Sequence, residues 1–307
     1  MVRFTLATDD PVLHDFAALV GSEGAVAVAG SRTRWSVGGE LASGTRTISA
    51  PVGIVQHQPE EMIVTVRAGT TVADLHDELA AAGQRTALPQ RGGTVGGAVA
   101  VGENCLDRLG RGSVRDAVLQ VRFVNAHGQL VTGGGPVVKN VTGFNVPKLI
   151  TGSLGTLGCI AEVILRTNPT PPKSRWLKAD GAEPKKVFAA LLHPAAVLWD
   201  GTTTWVHLEG HEADVDAETA MLASLGDFAT CDGPPDLPAH RWRLSPSQIF
   251  RQCVSAPFVA SVGVGTTWAS VAQPKRPLDR GASVVAKRMK DTFDQDHRFN
   301  PGRCLWT

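Results

Sequence analysis

The stretch Gly92-Gly93-Thr94-Val95-Gly96-Gly97 constrains this chain more than any other, because four of its six residues have no Cβ. Glycine adopts positive φ freely, so such a segment forms a turn where the backbone comes close to another group. Successive N–H groups in a turn of this kind bind anions. A mobile surface loop is the alternative interpretation of the hexamer taken by itself.

Two further stretches have the same small-residue character, and apolar runs typical of strands flank both. They are Ala29-Gly30-Ser31-Arg32-Thr33-Arg34-Trp35 and Gly152-Ser153-Leu154-Gly155-Thr156-Leu157-Gly158. The first combines backbone donors, hydroxyl groups and arginines, which suits a phosphate site. A solvated basic turn would explain the same residues.

Composition excludes several classes of protein. The 307 residues suffice for two domains with their own cores, and the net charge of +1 gives no electrostatic signature of a nucleic-acid partner. The sequence contains neither a secretory signal nor an apolar run long enough to span a membrane, which predicts a cytoplasmic protein. Five cysteines without a CxxC pair favour neither a metal cluster nor a disulfide framework.

Local patterns predict several elements. Met62–Ala68 is typical of a strand, and Thr71 is suited to cap a helix whose apolar face is Val72, Leu75 and Leu79. A β-α-β-β-α-β order follows between about residues 175 and 230. The proline-rich stretch at residues 168–172 marks the predicted domain boundary between these parts.

The order of the motifs resembles that of the FAD-binding PCMH-type (vanillyl-alcohol oxidase-like) flavoproteins. The matching motifs are Gly30-Ser31-Arg32-Thr33, Thr94-Val95-Gly96-Gly97, Gly112-Ser113-Val114-Arg115-Asp116, Lys139-Asn140-Val141-Thr142-Gly143-Phe144, Gly152-Ser153-Leu154-Gly155-Thr156-Leu157-Gly158 and, near the carboxyl terminus, Asn300-Pro301-Gly302-Arg303. Within this family the chain is most similar to the small FAD-binding subunits of glycolate oxidases.

The resemblance implies an α+β fold. It predicts a PCMH-type FAD-binding domain of two α+β subdomains at residues 1–170 and a ferredoxin-like cap at residues 171–280. A carboxyl-terminal segment at residues 281–307, which contains a helix, is expected to pack on the FAD-binding domain. The implied cofactor contacts come from two glycine-containing loops and two further segments: Ala29, Gly30, Ser31, Arg32, Thr33, Trp35, Gly93, Thr94, Val95, Gly96, Gly97, Ala98, Arg111, Gly112, Ser113, Val114, Gly158 and Ile160.

The implied function is that of an FAD-dependent oxidoreductase subunit. The chain would bind FAD in a glycolate/D-lactate-type 2-hydroxy-acid oxidase complex and take part in electron transfer. Its partners would be a larger FAD subunit and an iron–sulfur subunit, which could hold it at the inner membrane. A free-standing 2-hydroxy-acid dehydrogenase and a flavin-free scaffold remain alternatives. The FAD is expected to be noncovalent, because the histidine that links it in some members is absent between Ala25 and Val55.

No catalytic base emerges from the sequence. His207 and His211 are four residues apart, as in helical zinc sites, but Trp205–Leu208 is predicted as a strand, so no metal site is expected. Arg241 and Arg243 would suit a substrate carboxylate, although a solvated strand face explains them equally well. On this interpretation a partner subunit could hold the hydroxy acid, and the catalytic residues stay unassigned.

Overall fold

The computed structural model describes residues 5–6, 10–136, 145–251, 256–274 and 280–304, with the backbone alone for residues 5–6. The Lys139–Phe144 motif lies outside the described residues. Up to residue 169 the strands are β1 (Thr5–Leu6), β2 (Val26–Val28), β3 (Arg46–Ile48), β4 (Ile54–Gln58), β5 (Ile63–Arg67), β6 (Gln84–Thr86), β7 (Val118–Val124), β8 (Leu130–Gly134) and β9 (Cys159–Pro169). The helices are α1 (Pro11–Val20), α2 (Val72–Ala81), α3 (Val95–Val101), α4 (Arg108–Arg111), α5 (Val114–Ala117) and α6 (Val146–Ile150).

The later elements follow the same numbering. The strands are β10 (Lys173–Asp180), β11 (Pro194–Trp199), β12 (Thr203–Gly210), β13 (Ala229–Cys231), β14 (His240–Arg243), β15 (Phe258–Ser261) and β16 (Thr266–Ala269). The helices are α7 (Pro184–Ala190), α8 (Glu212–Leu222), a 3-10 turn at Pro246–Gln248 and α9 (Arg280–Phe293).

The chain divides into two compact units. Unit 1 comprises Met1–Cys105, Ser113–Pro169 and Lys275–Thr307, and unit 2 comprises Leu106–Gly112 and Thr170–Pro274. The predicted first domain, residues 1–170, included the short Leu106–Gly112 segment, which the contacts of the folded chain group with unit 2. Close packing explains this difference, because a Cβ on Gly110 of α4 would lie 3.2 Å from the Cα of Ala195 in β11.

An antiparallel sheet in the order β1-β8-β7-β9-β5-β4 is the scaffold of unit 1. Strand β9 pairs with β7 on one side and with β5 on the other, so most of its residues are buried. Helix α2 begins where the sequence predicts, since the Thr71 hydroxyl accepts a hydrogen bond from the N–H of Asp74 at 3.0 Å. Its residues Val72, Leu75 and Leu79 are buried in the core of this sheet, which confirms the predicted strand–helix unit.

A second core in unit 1 packs α1 and the parallel pair β2–β3, which accounts for the expected two α+β subdomains. The segment after α9 takes part in it. The N–H of Val26 donates to the carbonyl of Arg298 at 2.8 Å, and the N–H of Asn300 donates to the carbonyl of Val26 at 3.0 Å. Phe299, between them, is fully buried. The carboxyl-terminal segment therefore lies along β2.

Arg298 links this segment to the end of α1. Its side chain is buried, and its guanidinium donates to five backbone carbonyl oxygens at 2.8–3.1 Å. The acceptors are the carbonyl groups of Val20, Gly21, Glu23, Gly24 and Ala126. Val20 is the last residue of α1, where a helix leaves its carbonyl groups without intrahelical partners, and Gly21, Glu23 and Gly24 follow it. One side chain thus satisfies the polar backbone at this corner.

Unit 2 is built on an antiparallel sheet in the order β13-β10-β12-β11-β15-β16-β14. Its first four strands in sequence, with α7 and α8 in the two crossovers, have the ferredoxin-like order β13-β10-β12-β11. The predicted β-α-β-β-α-β pattern is therefore confirmed, and three strands extend the sheet beyond it. Among the described residues of the whole chain, no helix combines the length and the apolar character needed to cross a bilayer.

Candidate functional site

A cavity of about 390 Å³ lies within unit 1, where the segment after β2, the start of α3 and the start of β9 meet. Its volume is in the range of small-molecule sites. The predicted residues that line it are Ala29, Gly30, Ser31, Arg32, Thr33, Trp35, Thr94, Gly96, Gly97, Gly158 and Ile160. The fold thus brings together three stretches that are far apart in the sequence. That these residues contact a cofactor stays a prediction.

The first loop presents a run of unused backbone donors. The N–H of Ala29 still bonds to the carbonyl of Ile48, and the N–H of Trp35 bonds to the carbonyl of Arg32. Between them, the N–H groups of residues 30–34 have no hydrogen-bond acceptor within the described part of the chain. Consecutive free donors of this kind in a loop are typical of anion-binding sites.

The glycine hexamer has a different role from the one that its composition suggests, because its last three residues begin α3. Thr94 caps this helix, and its hydroxyl accepts from the N–H of Gly97 at 3.2 Å. The N–H of Gly96 bonds to the carbonyl of Ala68 at 2.8 Å, and a Cβ on Gly96 would lie 2.7 Å from the Cβ of Ala68. Glycine at position 96 is therefore needed for packing against the end of β5.

Arg34 joins the first loop to the hexamer. Its Nη1 donates to the carbonyl of Gly92 at 2.9 Å and to the Thr33 hydroxyl at 3.1 Å. A Cβ on Gly93, where φ is +86°, would clash with these same two side chains, Arg34 and Thr33. The two loops are consequently locked against each other at the rim of the cavity.

A buried carboxylate holds Arg34 in place. Glu103 is 4% exposed, and its two oxygens accept from Arg34 Nε at 2.5 Å and from Arg91 Nη1 at 2.8 Å. The Nη2 of Arg34 is buried and has no hydrogen-bond partner among the described residues. Since two guanidinium groups share one carboxylate, this cluster keeps a positive charge at the cavity.

Arg303 supplies a second cation to the same cavity. Its Nη1 donates to the carbonyl of Val37 at 2.7 Å, and its guanidinium lies 4.7 Å from the ring centroid of Trp35. Its Nε and Nη2 are buried without a partner in the described ranges, and burial lowers the pKa of this guanidinium. Arg32 lies over the same Trp35 ring at 5.1 Å. Unpartnered buried donors carry a free-energy cost that an anionic ligand would remove.

The cavity is therefore cationic. Arg32, Arg34 and Arg303 line it, and within the described chain no aspartate or glutamate does. Arg34 and Arg303 belong to motifs that stand out in the sequence, but neither residue was predicted as part of the site. The position of Arg34 beside the other polar residues of the first loop could have indicated its role. Nothing in the sequence around Arg303 distinguished it from an ordinary turn residue.

Several predicted cofactor residues do not line this cavity: Gly93, Val95, Ala98, Arg111, Gly112, Ser113 and Val114. Val95, Ala98 and Val114 belong to the hydrophobic core of unit 1. The Ser113 hydroxyl caps α5 by accepting from the N–H of Asp116 at 3.1 Å. Arg111 belongs to unit 2, where it pairs with Asp107 at 2.8 Å. The motif around residue 112 thus serves helix capping and packing.

Unit 2 has a polar cluster around His207. His207 is 4% exposed, and Asp107 and Glu209 each place a carboxylate oxygen within 4.8 Å of one of its ring nitrogens and of each other. Arg111 is within ion-pair distance of both carboxylates, at 2.8 and 3.7 Å. His211, the other half of the histidine pair weighed from the sequence, is an exposed residue at the start of α8. The two histidines therefore do not share a helix face.

Comparisons with known proteins agree with this geometry. Residues 15–134 match the family model described as FAD binding domain. The chain is similar to glycolate oxidase subunit GlcE of Escherichia coli, with 31% identity over 205 residues, which covers 64% of this chain and 59% of that protein. It is also similar to glycolate oxidase subunit GlcD of Bacillus subtilis, with 30% identity over 148 residues, 46% of this chain and 31% of that protein.

A solved structure described as alkyldihydroxyacetonephosphate synthase has a similar fold. The TM-score is 0.68 at 14% sequence identity, and the match covers 97% of this chain and 75% of that one. Of the two glycolate oxidase subunits, the chain spans little more than half the length of GlcE and about a third of the length of GlcD. The resemblance that the motifs suggested is confirmed for the fold and for the FAD-binding domain.

Proposed function

We propose that this chain, which carries an FAD-binding domain of the PCMH type, is the FAD-holding subunit of a glycolate/D-lactate-type 2-hydroxy-acid oxidase complex. The cationic cavity carries this proposal, together with the similarity to glycolate oxidase subunits. The diphosphate of FAD has two negative charges, and Arg34 and Arg303 each offer a buried guanidinium nitrogen that has no partner in the described part of the protein. The residues present therefore fit this cofactor.

Each element of the cavity has a separate task in this arrangement. The free N–H groups of residues 30–34 and the guanidinium groups of Arg34 and Arg303 bind the diphosphate. Glu103 orients Arg34, and Trp35 supports Arg303 by cation–π stacking. When bound, FAD supplies an electron acceptor and donor, which is the chemistry that electron transfer through this chain needs.

The chain is proposed to work with partners because the described residues of its cavity offer no general base. Removal of the hydroxyl proton during oxidation needs a general base near the reacting carbon. Among the described residues that line the cavity there is no histidine, aspartate, glutamate or lysine. We therefore assign the oxidation to a larger FAD subunit, with an iron–sulfur subunit as the electron acceptor, and assign electron transfer to this chain.

The FAD is expected to be held noncovalently. The chain has no tyrosine, and among the described residues that line the cavity Cys159 is the one thiol. Burial raises the pKa of its thiol to about 12, so it is not a thiolate at neutral pH. Acid precipitation of the yellow protein should leave all flavin in the supernatant, as measured by absorbance at about 450 nm. Flavin retained in the washed pellet would contradict this expectation.

Reduction of the bound flavin tests the function. We expect the purified chain to show a flavin spectrum after reconstitution with FAD, and anaerobic glycolate or D-lactate should not bleach it. The flavin should bleach only after a glycolate oxidase catalytic subunit is added to the same mixture. Bleaching without a partner would instead identify a free-standing dehydrogenase. Failure to take up FAD at all would identify a flavin-free scaffold, and both of these outcomes overturn the proposal.

A further inference from the structure

The polar cluster of unit 2 contains a hydrogen-bonded chain that the proposed function does not use. The Ser174 hydroxyl lies 2.8 Å from Nε2 of His207, and Nδ1 of His207 lies 2.7 Å from Oδ1 of Asp107. Ser174 is exposed, whereas His207 and Asp107 are buried. A nucleophile within hydrogen-bond reach of a base, which a third group orients, is the recognised geometry of an activated hydroxyl.

The sheet brings Ser174 and His207 next to each other. Strands β10 and β12 are antiparallel neighbours in which Ser174 pairs with Glu209 and Trp176 pairs with His207. Ser174, Trp176, His207 and Glu209 therefore project from one face of the sheet, because alternate residues of a strand share a face. Ser174 and His207 are diagonal neighbours on that face, and diagonal pairs of this kind are within reach of longer side chains.

The surroundings hold the imidazole ring in one orientation. The Trp176 ring stacks on the His207 ring with centroids 4.3 Å apart and an interplanar angle of 9°, which limits rotation of the imidazole. Arg111 Nη2 lies 2.8 Å from the other oxygen of Asp107, so this carboxylate is held in position. When Nδ1–H donates its hydrogen bond to Asp107, Nε2 is left to accept the Ser174 hydroxyl proton.

We propose that Ser174, His207 and Asp107 form an acyl-transfer site that acts on small activated esters or thioesters. The Ser174 oxygen forms a bond to the acyl carbon, and the bond from that carbon to the alcohol or thiol breaks. The proton of the hydroxyl passes to Nε2 of His207 and from there to the leaving group. Water then attacks the acyl-serine, which releases the carboxylic acid and returns a proton to Ser174. No oxidant or reductant is needed, and the site is independent of FAD.

Covalent labelling of the full chain tests the site. A biotinylated fluorophosphonate should label one tryptic peptide, the one that contains Ser174, and p-nitrophenyl acetate should be hydrolysed with an initial burst. Ser174→Ala should abolish the label, and His207→Ala and Asp107→Asn should slow labelling by about a hundredfold or more, the scale of loss when a base or its orienting group is removed. Because Ser174 is exposed, its replacement should leave the thermal unfolding midpoint unchanged.

Ser224→Ala is the matched control. Ser224 is also an exposed serine of unit 2, but its hydroxyl donates to the carbonyl of Met221 and has no histidine beside it. Labelling and hydrolysis should be unchanged in this variant. Absence of labelling in the wild type, a label at any residue other than Ser174, or an equal labelling rate in a folded His207→Ala protein would each overturn the proposal.

Discussion

Replacing Arg34 with alanine should weaken FAD binding about ten- to a hundredfold. Arg34 lines the cavity, locks the first loop to Gly92 and keeps a buried Nη2 without a partner in the described chain. A hydrogen bond from a charged donor contributes about 1.5–3 kcal/mol, which corresponds to this change in affinity. The measurement is the Kd from quenching of FAD fluorescence during titration with apoprotein, so it does not depend on enzymatic activity.

A double variant separates affinity from stability. Arg34→Ala leaves the buried Glu103 carboxylate with Arg91 alone among its described partners, which is expected to lower stability as well. Combining it with Glu103→Gln removes the buried carboxylate that has lost one of its two partners, and the half-exposed Arg91 stays solvated, so the unfolding midpoint should recover in part while the weak FAD affinity persists. Arg166→Ala, at an exposed position on β9, is the control and should bind FAD normally. Wild-type affinity in a folded Arg34→Ala protein would refute the assignment of this arginine to the diphosphate.

Replacing Arg298 with alanine should give the largest loss of stability in the described chain. The side chain is 4% exposed and donates to five backbone carbonyl groups, most of them just beyond α1. Its removal takes a charged donor away from all five carbonyl groups, of which that of Val20 keeps Arg46 Nη2 at 3.0 Å, at a cost of about 3–5 kcal/mol. For a unit of this size we expect the thermal unfolding midpoint to fall by roughly 6–20 °C. Circular dichroism during heating measures it.

The neighbouring helix α9 offers the control for this prediction. Arg288 is exposed on α9, so Arg288→Ala should change the midpoint by no more than about 1–2 °C. If Arg298→Ala lowers the midpoint by no more than this amount, the carbonyl groups at the end of α1 find other donors, and the role given to Arg298 is wrong. Retention of bound FAD by the variant below its midpoint would show that the effect is on stability and not on the cofactor site.

Local sequence patterns were sufficient to predict those elements whose structure depends on residues close together in the sequence. Thr71 with Val72, Leu75 and Leu79 specified α2, because a cap and an apolar face three to four residues apart act within one helix. The ferredoxin-like order of unit 2 followed from alternating strand and helix patterns. At residues 92–97 the glycines predicted a close approach of the backbone to another group, but nothing in the sequence indicated that Gly96 packs closely on Ala68.

The motifs of the sequence were enough to predict an FAD-binding domain, its cofactor and two loops that approach the cavity, because the small-residue motifs occur in a recognisable order along the chain. Which charged side chains line the cavity depended on the tertiary structure. Arg34 meets Glu103 across 69 positions, and His207 meets Asp107 across 100. Such pairs are specified by how strands and helices pack, since an ion pair or a relay depends on distances of about 3 Å that no local pattern encodes.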